Sequence, residues 1–204
     1  MGTRGAGAVF MPNKVVFPGG AVDPADAAVP AADGLRNDCF RRLAAGGVPR
    51  GDRAPGSLPR ALIAAAIREV WEETGLVLGA PGGWPDPPQD WRSFAKTGHR
   101  PSAKGFRFVF RAITPPGRPR RFDARFFLVP ATSIQGDPDD FGAAEDELQH
   151  LGWIPLTEMR QHDLPFITEL VLAEIGPLLA GGEQIGGVPF VTNEETVSQV
   201  ARLV

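Results

Sequence analysis

The chain carries the segment LIAAAIREVWEETG at residues 62–75, and this segment is the clearest helix in the sequence. Its apolar side chains recur at the spacing of one buried helix face: Leu62, Ile63, Ala66, Ile67, Val70 and Trp71. Ser57 and Pro59 are typical helix-start residues, and Gly75 is a typical stop. The sequence therefore predicts a helix that begins near Ser57 and ends at Gly75.

Three carboxylates share one face of this helix. Glu69, Glu72 and Glu73 stand at positions i, i+3 and i+4, and no lysine lies on that face. Like charges repel at this spacing, and the helix dipole disfavours anions in the C-terminal half. Arg68 precedes Glu72 by four residues and can pair with it. A hard divalent cation such as Mg²⁺ or Mn²⁺ would offset the remaining repulsion, while a solvated acidic face is the alternative.

Residues 68–76 resemble the second half of the Nudix box in every fixed position: Arg68-Glu69-Val70-Trp71-Glu72-Glu73-Thr74-Gly75-Leu76. The first half of that box is a glycine, five residues and a glutamate, and here Gly20 is followed by five residues and Asp26. Phe17-Pro18-Gly19-Gly20 resembles the usual lead-in. Two departures are clear: Asp26 replaces the glutamate, and 41 residues rather than seven separate it from Arg68. An insertion therefore splits the box.

A similar split occurs in a Nudix branch that includes a peroxisomal coenzyme A diphosphatase. Residues 119–127, PRRFDARFF, also resemble that branch. The resemblance implies cleavage of a phosphoanhydride, such as a diphosphate that joins a nucleoside to another group, with coenzyme A or its esters among the candidate substrates. A Nudix-fold protein that senses a nucleotide without turnover is the alternative. Such a protein is expected to lack a glutamate of the box, and all three are present here.

The resemblance also implies a fold and a set of site residues. The fold is an α/β/α sandwich around a mixed sheet. Glu69, Glu72 and Glu73 would hold one to three Mg²⁺ or Mn²⁺ ions, helped by a backbone carbonyl at Gly20. Arg68 completes the catalytic group, and Glu69 or Glu147 would accept the proton of the attacking water. Many Nudix enzymes place a distant carboxylate before a late strand, and the candidates here are Glu145, Asp146 and Glu147, with a solvated loop cluster as the alternative.

Residues 121–129 are predicted to form a strand with charged side chains at alternate positions. Arg121, Asp123 and Arg125 would share one face, so that the two guanidinium groups could bind a substrate phosphate. A salt-bridged face around Asp123 is the competing interpretation. The family normally has a further strand before the Gly-Gly loop, but only about ten residues precede the loop lead-in here. The first strand is therefore either missing or supplied otherwise.

The sequence predicts one domain over residues 1–204 with two insertions. The first, at about residues 27–58, lies inside the Nudix box and is expected to be largely dispensable for folding. The second, at about residues 79–105, is rich in proline and glycine and carries Trp84, Trp91 and Phe94. Strands are predicted at residues 15–17, 106–113, 121–129 and 151–156, the middle two as a hairpin. After Pro165 a helix resumes and stops at Gly181.

Composition limits the function classes. The net charge of -3 disfavours nonspecific binding to nucleic acid or to an anionic membrane. Neither a membrane span nor the apolar core of a signal peptide is found. Cys39 is the only cysteine, which excludes an internal disulfide and fits a cytoplasmic location. Cys39, His99, His150 and His162 show no ligand spacing. The expected partner is a small-molecule diphosphate, and a homodimer is possible.

Overall fold

Strands and helices alternate irregularly along the chain. The computed structural model describes residues 1–45, 57–118, 120–182, 184, 186–193 and 198–204. The strands are β1 (Gly2–Arg4), β2 (Val15–Val16), β3 (Val77–Pro81), β4 (His99–Pro101), β5 (Arg107–Ile113), β6 (Asp123–Leu128), β7 (Ile134–Gln135), β8 (Leu148–Gln149), β9 (Val188–Asn193) and β10 (Ser198–Leu203). The helices are α1 (Asn37–Ala45), α2 (Ser57–Thr74), α3 (Arg92–Ala95) and α4 (Phe166–Leu179).

The largest sheet is mixed and has the strand order β10-β9-β5-β6. β5 and β6 form the predicted antiparallel hairpin, with Ile113 opposite Asp123 and a bulge between Phe108 and Phe110. β9 pairs in parallel with β5 and antiparallel with β10. The β9–β10 pairing was not predicted, although Val188, Phe190, Val191 and Thr192 are β-branched or aromatic residues that strands favour.

Helices cover both faces of this sheet. On one face, Val171, Ile175 and Leu178 of α4 pack against Val109 and Phe110 of β5. On the other face, the core joins α1, α2, β5 and β9 through Cys39, Leu43, Leu58, Leu62, Phe108 and Val188. The expected α/β/α sandwich around a mixed sheet is therefore confirmed. None of the helices in the described ranges combines the length and the apolar character that a membrane span requires.

Two smaller sheets complete the fold, with the orders β2-β1-β8 and β4-β3-β7. The strand expected before the Gly-Gly loop is supplied by β1, which pairs antiparallel with both β2 and β8. The strand predicted at residues 151–156 is wrong, because the strand in this region is β8 and ends at Gln149. Gly152 still exchanges two backbone hydrogen bonds with Met1, but Pro155 then interrupts the run and Trp153 is largely exposed.

Helix α2 has the predicted bounds and is buried on more than one side. Ile63 and Ile67 pack into one core cluster, and Leu58 and Leu62 pack into the next. The helix stops at Gly75, whose φ of +74° is a left-handed conformation that favours glycine. A Cβ atom there would also lie 3.0 Å from the backbone nitrogen of Ala144. Both effects fix the C-terminal end of α2, where the three glutamates stand.

The two insertions contribute to the core. Val29, Cys39 and Leu43 of the first insertion are buried, which argues against its expected dispensability for folding, although the dispensability itself stays a prediction. Residues 46–56 lie outside the described residues. In the second insertion, Trp91 and Phe94 are almost fully buried, with ring centroids 5.4 Å apart. Short helical turns place these two side chains inward, a pattern that the sparse periodicity of the segment did not reveal.

Candidate functional site

The two halves of the split box meet in space at Asp26 and Arg68. Asp26 is fully buried, and its carboxylate accepts hydrogen bonds from Nε (3.2 Å) and Nη2 (3.1 Å) of Arg68. A short 3-10 turn at Pro24–Ala28 positions Asp26, since Asp23 caps the turn and donates its backbone N–H to Asp26 Oδ2 at 2.8 Å. An aspartate before the insertion therefore pairs with Arg68 across 41 intervening residues.

Arg68 also contacts the acidic face of α2 and the Gly-Gly loop. Its Nη1 donates to Glu69 Oε1 (2.8 Å) and to Glu72 Oε2 (3.0 Å), and its Nη2 donates to the carbonyl of Ala21 (2.8 Å). Burial by itself lowers the pKa of Arg68. The hydrogen bonds and charge of Asp26, with the charges of Glu69 and Glu72, outweigh that effect and raise the pKa above its ordinary value. Arg68 is therefore a permanent cation that joins three carboxylates.

The Gly-Gly loop lies directly against the glutamates. Glu73 is almost fully buried, and its Oε2 accepts the backbone N–H of Gly19 at 2.7 Å. A Cβ atom at Gly20 would overlap the carboxylate of Glu69. A side chain at position 20 would therefore displace the Glu69 carboxylate from its position in this structure. This contact agrees with the predicted proximity of Gly20 to the glutamates, while its role as a metal ligand stays a prediction.

Burial raises the pKa of all three glutamates. For Glu73 it raises the pKa to about 7; the Gly19 N–H opposes the shift, and the charges of Glu147 and Glu69 add to it. For Glu69, Arg68 opposes the effect of burial, and Glu147 and Asp26 add to it. For Glu72, Arg68 again opposes burial, whereas Glu69 and Glu145 add to it. The acidic face thus carries more negative charge than Arg68 neutralises.

The candidate carboxylates outside α2 lie beside this face. Glu147 immediately precedes β8, and its Oε1 accepts a hydrogen bond from Arg4 Nη2 at 3.1 Å. The side chain of Glu147 is 55% exposed, and its charge acts on both Glu69 and Glu73. The backbone N–H of Glu145 donates to the carbonyl of Glu72 at 2.7 Å. The loop at residues 145–147 is therefore attached to the acidic helix end, while the catalytic role of Glu147 stays a prediction.

A cleft of about 530 Å³ opens over Glu69 and Glu72. Its charged lining residues are Asp23, Arg68, Glu69, Glu72, Asp90 and Glu145. Five of these six side chains are acidic. The cleft would attract cations, and it would repel a bare diphosphate.

The donor set suits a hard divalent cation, because carboxylate oxygens are the ligands that Mg²⁺ and Mn²⁺ prefer. Among the described residues, however, no three acidic, histidine or cysteine side chains already surround a common point. Arg68 Nη1 holds Glu69 and Glu72, and the loop N–H of Gly19 holds Glu73. The residues therefore fit such an ion by chemistry and by charge, and Arg68 bonds only one oxygen of Glu69 and one of Glu72, so the second oxygen of each carboxylate could bind the ion.

Arg121 and Arg125, the arginines predicted to bind phosphate, do not contact a common group. Arg125 is buried and donates to the backbone carbonyl (2.7 Å) and the carboxylate (3.0 Å) of Asp123. Arg111 holds the same carboxylate with two bonds of 2.8 Å. Arg121 is exposed and donates to the carbonyl of Thr114 at 3.1 Å. The competing interpretation, a salt-bridged cluster around Asp123, matches this geometry, and the substrate-binding role of Arg121 and Arg125 stays a prediction.

Sequence reasoning missed two residues of this region. Trp91 donates its indole N–H to Asp26 Oδ1 at 3.2 Å, and Arg4 pairs with Glu147. Neither lies in a recognisable motif, and only the fold brings them to the box. By contrast, the Cys39 thiol lies 3.8 Å from the carbonyl of Phe106, and the His99 ring bonds the Thr97 hydroxyl. Both contacts agree with the expected structural roles.

Comparison with known proteins places these observations in a family context. No family model matches the chain. The sequence is 29% identical over 164 residues to a Caenorhabditis elegans protein assigned as nudix hydrolase 7, covering 74% of this chain and 44% of the relative. The chain thus spans less than half the length of that curated relative. The crystal structure of a Nudix hydrolase from Alicyclobacillus acidocaldarius matches 91% of this chain and 88% of its own, with a TM-score of 0.50 and 22% identity. The protein therefore shares the Nudix fold.

Proposed function

We propose that the chain is a divalent-metal-dependent hydrolase of the Nudix type that cleaves a phosphoanhydride in a nucleoside diphosphate linked to another group. One observation carries the proposal: three glutamates crowd one end of α2 against the Gly-Gly loop, and Arg68 only partly neutralises them. A buried excess of negative charge is unfavourable unless a cation completes it. A phosphoanhydride is the substrate class that a carboxylate-held Mg²⁺ or Mn²⁺ serves.

The residues divide into a coordinating and an orienting group. Glu69, Glu72 and Glu73 would hold the ion, which when bound neutralises the diphosphate and acidifies a water. Asp26 and Arg68 orient the first two carboxylates through hydrogen bonds of 2.8 to 3.2 Å. Gly20 leaves room for Glu69, and its backbone carbonyl is the remaining candidate ligand.

Two groups are candidates for the proton acceptor. Glu69 is buried, its pKa is raised by that burial, and it lines the cleft. Glu147 is more exposed and is held by Arg4. A general base must lie within hydrogen-bond reach of the water it deprotonates, and its pKa is best placed near the working pH. The raised pKa of Glu69 favours it on the second condition, whereas Glu147 does not contact Arg68.

Coenzyme A and its esters are the finer substrate proposal. It rests on the split box and on the resemblance of residues 119–127, of which Pro119 lies outside the described residues. In this proposal Arg121 is the better candidate for a substrate phosphate, because its side chain is exposed, whereas Asp123 already engages Arg125.

A second candidate function is a nucleotide sensor without turnover. The contact of Arg68 Nη1 with both Glu69 and Glu72 favours it, because a bound guanidinium competes with a metal ion for those oxygens. In such a protein Arg68 would remain in place when the nucleotide binds, and no product would form.

A screen for Mg²⁺-dependent product formation separates the two functions. Purified protein is incubated with nucleotide sugars, dinucleotides, coenzyme A and acyl-coenzyme A, and products are identified by mass spectrometry. Hydrolysis at a diphosphate that stops in EDTA and in Glu73→Gln supports the enzyme. A phosphopantetheine product supports coenzyme A as the substrate. Tight nucleotide binding by calorimetry without any product would replace the enzyme with the sensor.

A further inference from the structure

Trp91 links the second insertion to Asp26 through its indole N–H. Both Trp91 and Asp26 are fully buried, and the indole Nε1 donates to Asp26 Oδ1 at 3.2 Å. Trp91 stands in a short 3-10 turn, Gln89–Trp91, next to α3. Its neighbours Asp90 and Ser93 line the cleft above Glu69 and Glu72. The segment at residues 90–93 therefore lines the cleft through Asp90 and Ser93 and contacts Asp26 through Trp91.

The contact continues from Asp26 to the coordinating carboxylates. Asp26 Oδ1, the atom that Trp91 bonds, also accepts Arg68 Nε at 3.2 Å, and Oδ2 accepts Nη2 at 3.1 Å. At its other end the same guanidinium donates through Nη1 to Glu69 and Glu72. A guanidinium is planar and rigid, so the angle at which Asp26 holds one edge fixes the position of the other.

Packing alone does not account for this contact. The Trp91 ring already lies between Trp84 and Phe94, at centroid distances of 5.7 and 5.4 Å, and these contacts require no polar partner. A buried indole N–H nevertheless needs an acceptor. Here the acceptor is a carboxylate already bonded to Arg68, so the indole helps to fix how Asp26 presents its two oxygens.

We infer that Trp91 is a positioning residue of the proposed metal centre, acting through Asp26 on Arg68 and thereby on the carboxylates of Glu69 and Glu72. The inference rests on the proposed function. Loss of a partner that directly orients a ligand typically weakens metal binding about tenfold to a hundredfold. Because three successive hydrogen bonds separate Trp91 from the ligands, its loss should weaken binding less, by about threefold to tenfold.

The test compares Trp91→Phe with Trp84→Phe. Phenylalanine at either position keeps an aromatic ring in the same core, but only the first change removes the N–H bond to Asp26. The affinity for Mn²⁺ alone is measured by electron paramagnetic resonance of the free ion. The ¹H–¹⁵N resonance of Arg68 Nε, recorded without metal, reports the position of the guanidinium. Replacement of Trp91 by β-(3-benzothienyl)alanine, which keeps the two-ring shape and lacks the N–H, serves if the smaller ring impairs folding.

The expected result is that both Trp91 variants bind Mn²⁺ about threefold to tenfold more weakly than wild type and shift the Arg68 Nε resonance, while Trp84→Phe does neither. If the Trp91 variants match Trp84→Phe in both measurements, the positioning role is overturned and the metal centre stands. If wild-type protein binds no Mn²⁺, the proposed function fails, and the positioning role fails with it.

Discussion

The protein has two clusters of buried charge, and they are unbalanced in opposite directions. At the end of α2, one arginine faces Asp26, Glu69 and Glu72, with Glu73 close by. On β5 and β6, two arginines share Asp123. Burial raises the pKa of the glutamates in the first cluster and lowers the pKa of Arg125 in the second. Each cluster has too much of one charge.

The difference lies in what compensates the excess. In the β5–β6 cluster the protein supplies partners for Arg111, since its guanidinium lies 4.2 Å from the centroid of the Phe190 ring and bonds Asp123 with two 2.8 Å contacts, whereas Nη2 of Arg125 is buried without a hydrogen-bond partner among the described residues. At the end of α2 the additional neighbours, Glu145 and Glu147, are acidic and raise the pKa of the glutamates further. The β5–β6 arrangement is typical of a structural ion cluster, and the arrangement at the end of α2 is typical of a site that a cation completes.

The largest expected effect is on turnover, which should depend on the α2 glutamates far more than on Asp123. Glu72→Gln and Glu73→Gln should each lower turnover by several orders of magnitude with the fold intact, because each removes a charge that holds the metal. The turnover number is measured on the substrate found in the screen, and circular dichroism checks the fold. Asp123→Asn is the comparison, and we expect its turnover to stay within about tenfold of wild type in the folded fraction. Wild-type turnover in either glutamine variant would refute the metal assignment.

The second prediction concerns the contribution of the β5–β6 cluster to the free energy of unfolding. Asp123→Asn removes the carboxylate that the buried arginines Arg111 and Arg125 both contact and should lower the free energy of unfolding by about 3 to 5 kcal/mol. Asp38→Asn, which breaks the exposed pair with Arg36, should cost less than about 1 kcal/mol. Both values come from urea unfolding. Equal losses in the two variants would show that the β5–β6 cluster is not structural.

The two clusters also differ in how much of them the sequence predicts. The acidic face of α2 is local in sequence, so helical spacing alone places Glu69, Glu72 and Glu73 together. The pairs Asp26–Arg68 and Arg111–Asp123 depend on tertiary contacts. The alternation of Arg121 and Arg125 suggested a common phosphate site, whereas the structure pairs Arg125 with Asp123 and leaves Arg121 exposed.

The same distinction holds for the fold. Helix α2 and the β5–β6 hairpin follow from periodicity and from turn residues over short ranges. The two insertions lack such periodicity, so the burial of Leu43 and Trp91 could not be predicted. β9 pairs in parallel with β5, although the two lie far apart in the chain. The prediction of a strand at residues 151–156 was wrong, because it relied on apolar content and did not account for the interruption by Pro155.

The third prediction uses the raised pKa of Glu73. Its value of about 7 in the folded protein exceeds the ordinary 4.5, so the folded state binds this proton more tightly than the unfolded chain does. Metal-free protein should therefore lose stability as the pH rises from about 4.5 to about 7, by at most roughly 3 kcal/mol. Urea unfolding in EDTA across this range measures the loss. Glu73→Gln should flatten the profile, and an unchanged profile in the variant would exclude Glu73 as its source.

The fourth prediction is the smallest and concerns Glu72. Because three carboxylates repel near the C-terminal end of α2, Glu72→Gln should be as stable as wild type in EDTA, or more stable by about 0.3 to 1 kcal/mol. Loss of the 3.0 Å pair with Arg68 cancels part of the gain. Millimolar Mg²⁺ should raise the wild-type melting temperature and raise that of the variant much less. A variant that is clearly less stable in EDTA, with no response to Mg²⁺ in either protein, would make Glu72 structural.

The most direct test of the unbalanced acidic cluster is to locate the cation. Crystals of the protein soaked in Mn²⁺ are measured at a wavelength where manganese scatters anomalously. We expect an anomalous peak within about 2.5 Å of carboxylate oxygens from at least two of Glu69, Glu72 and Glu73. A peak confined to other surface carboxylates would contradict the account.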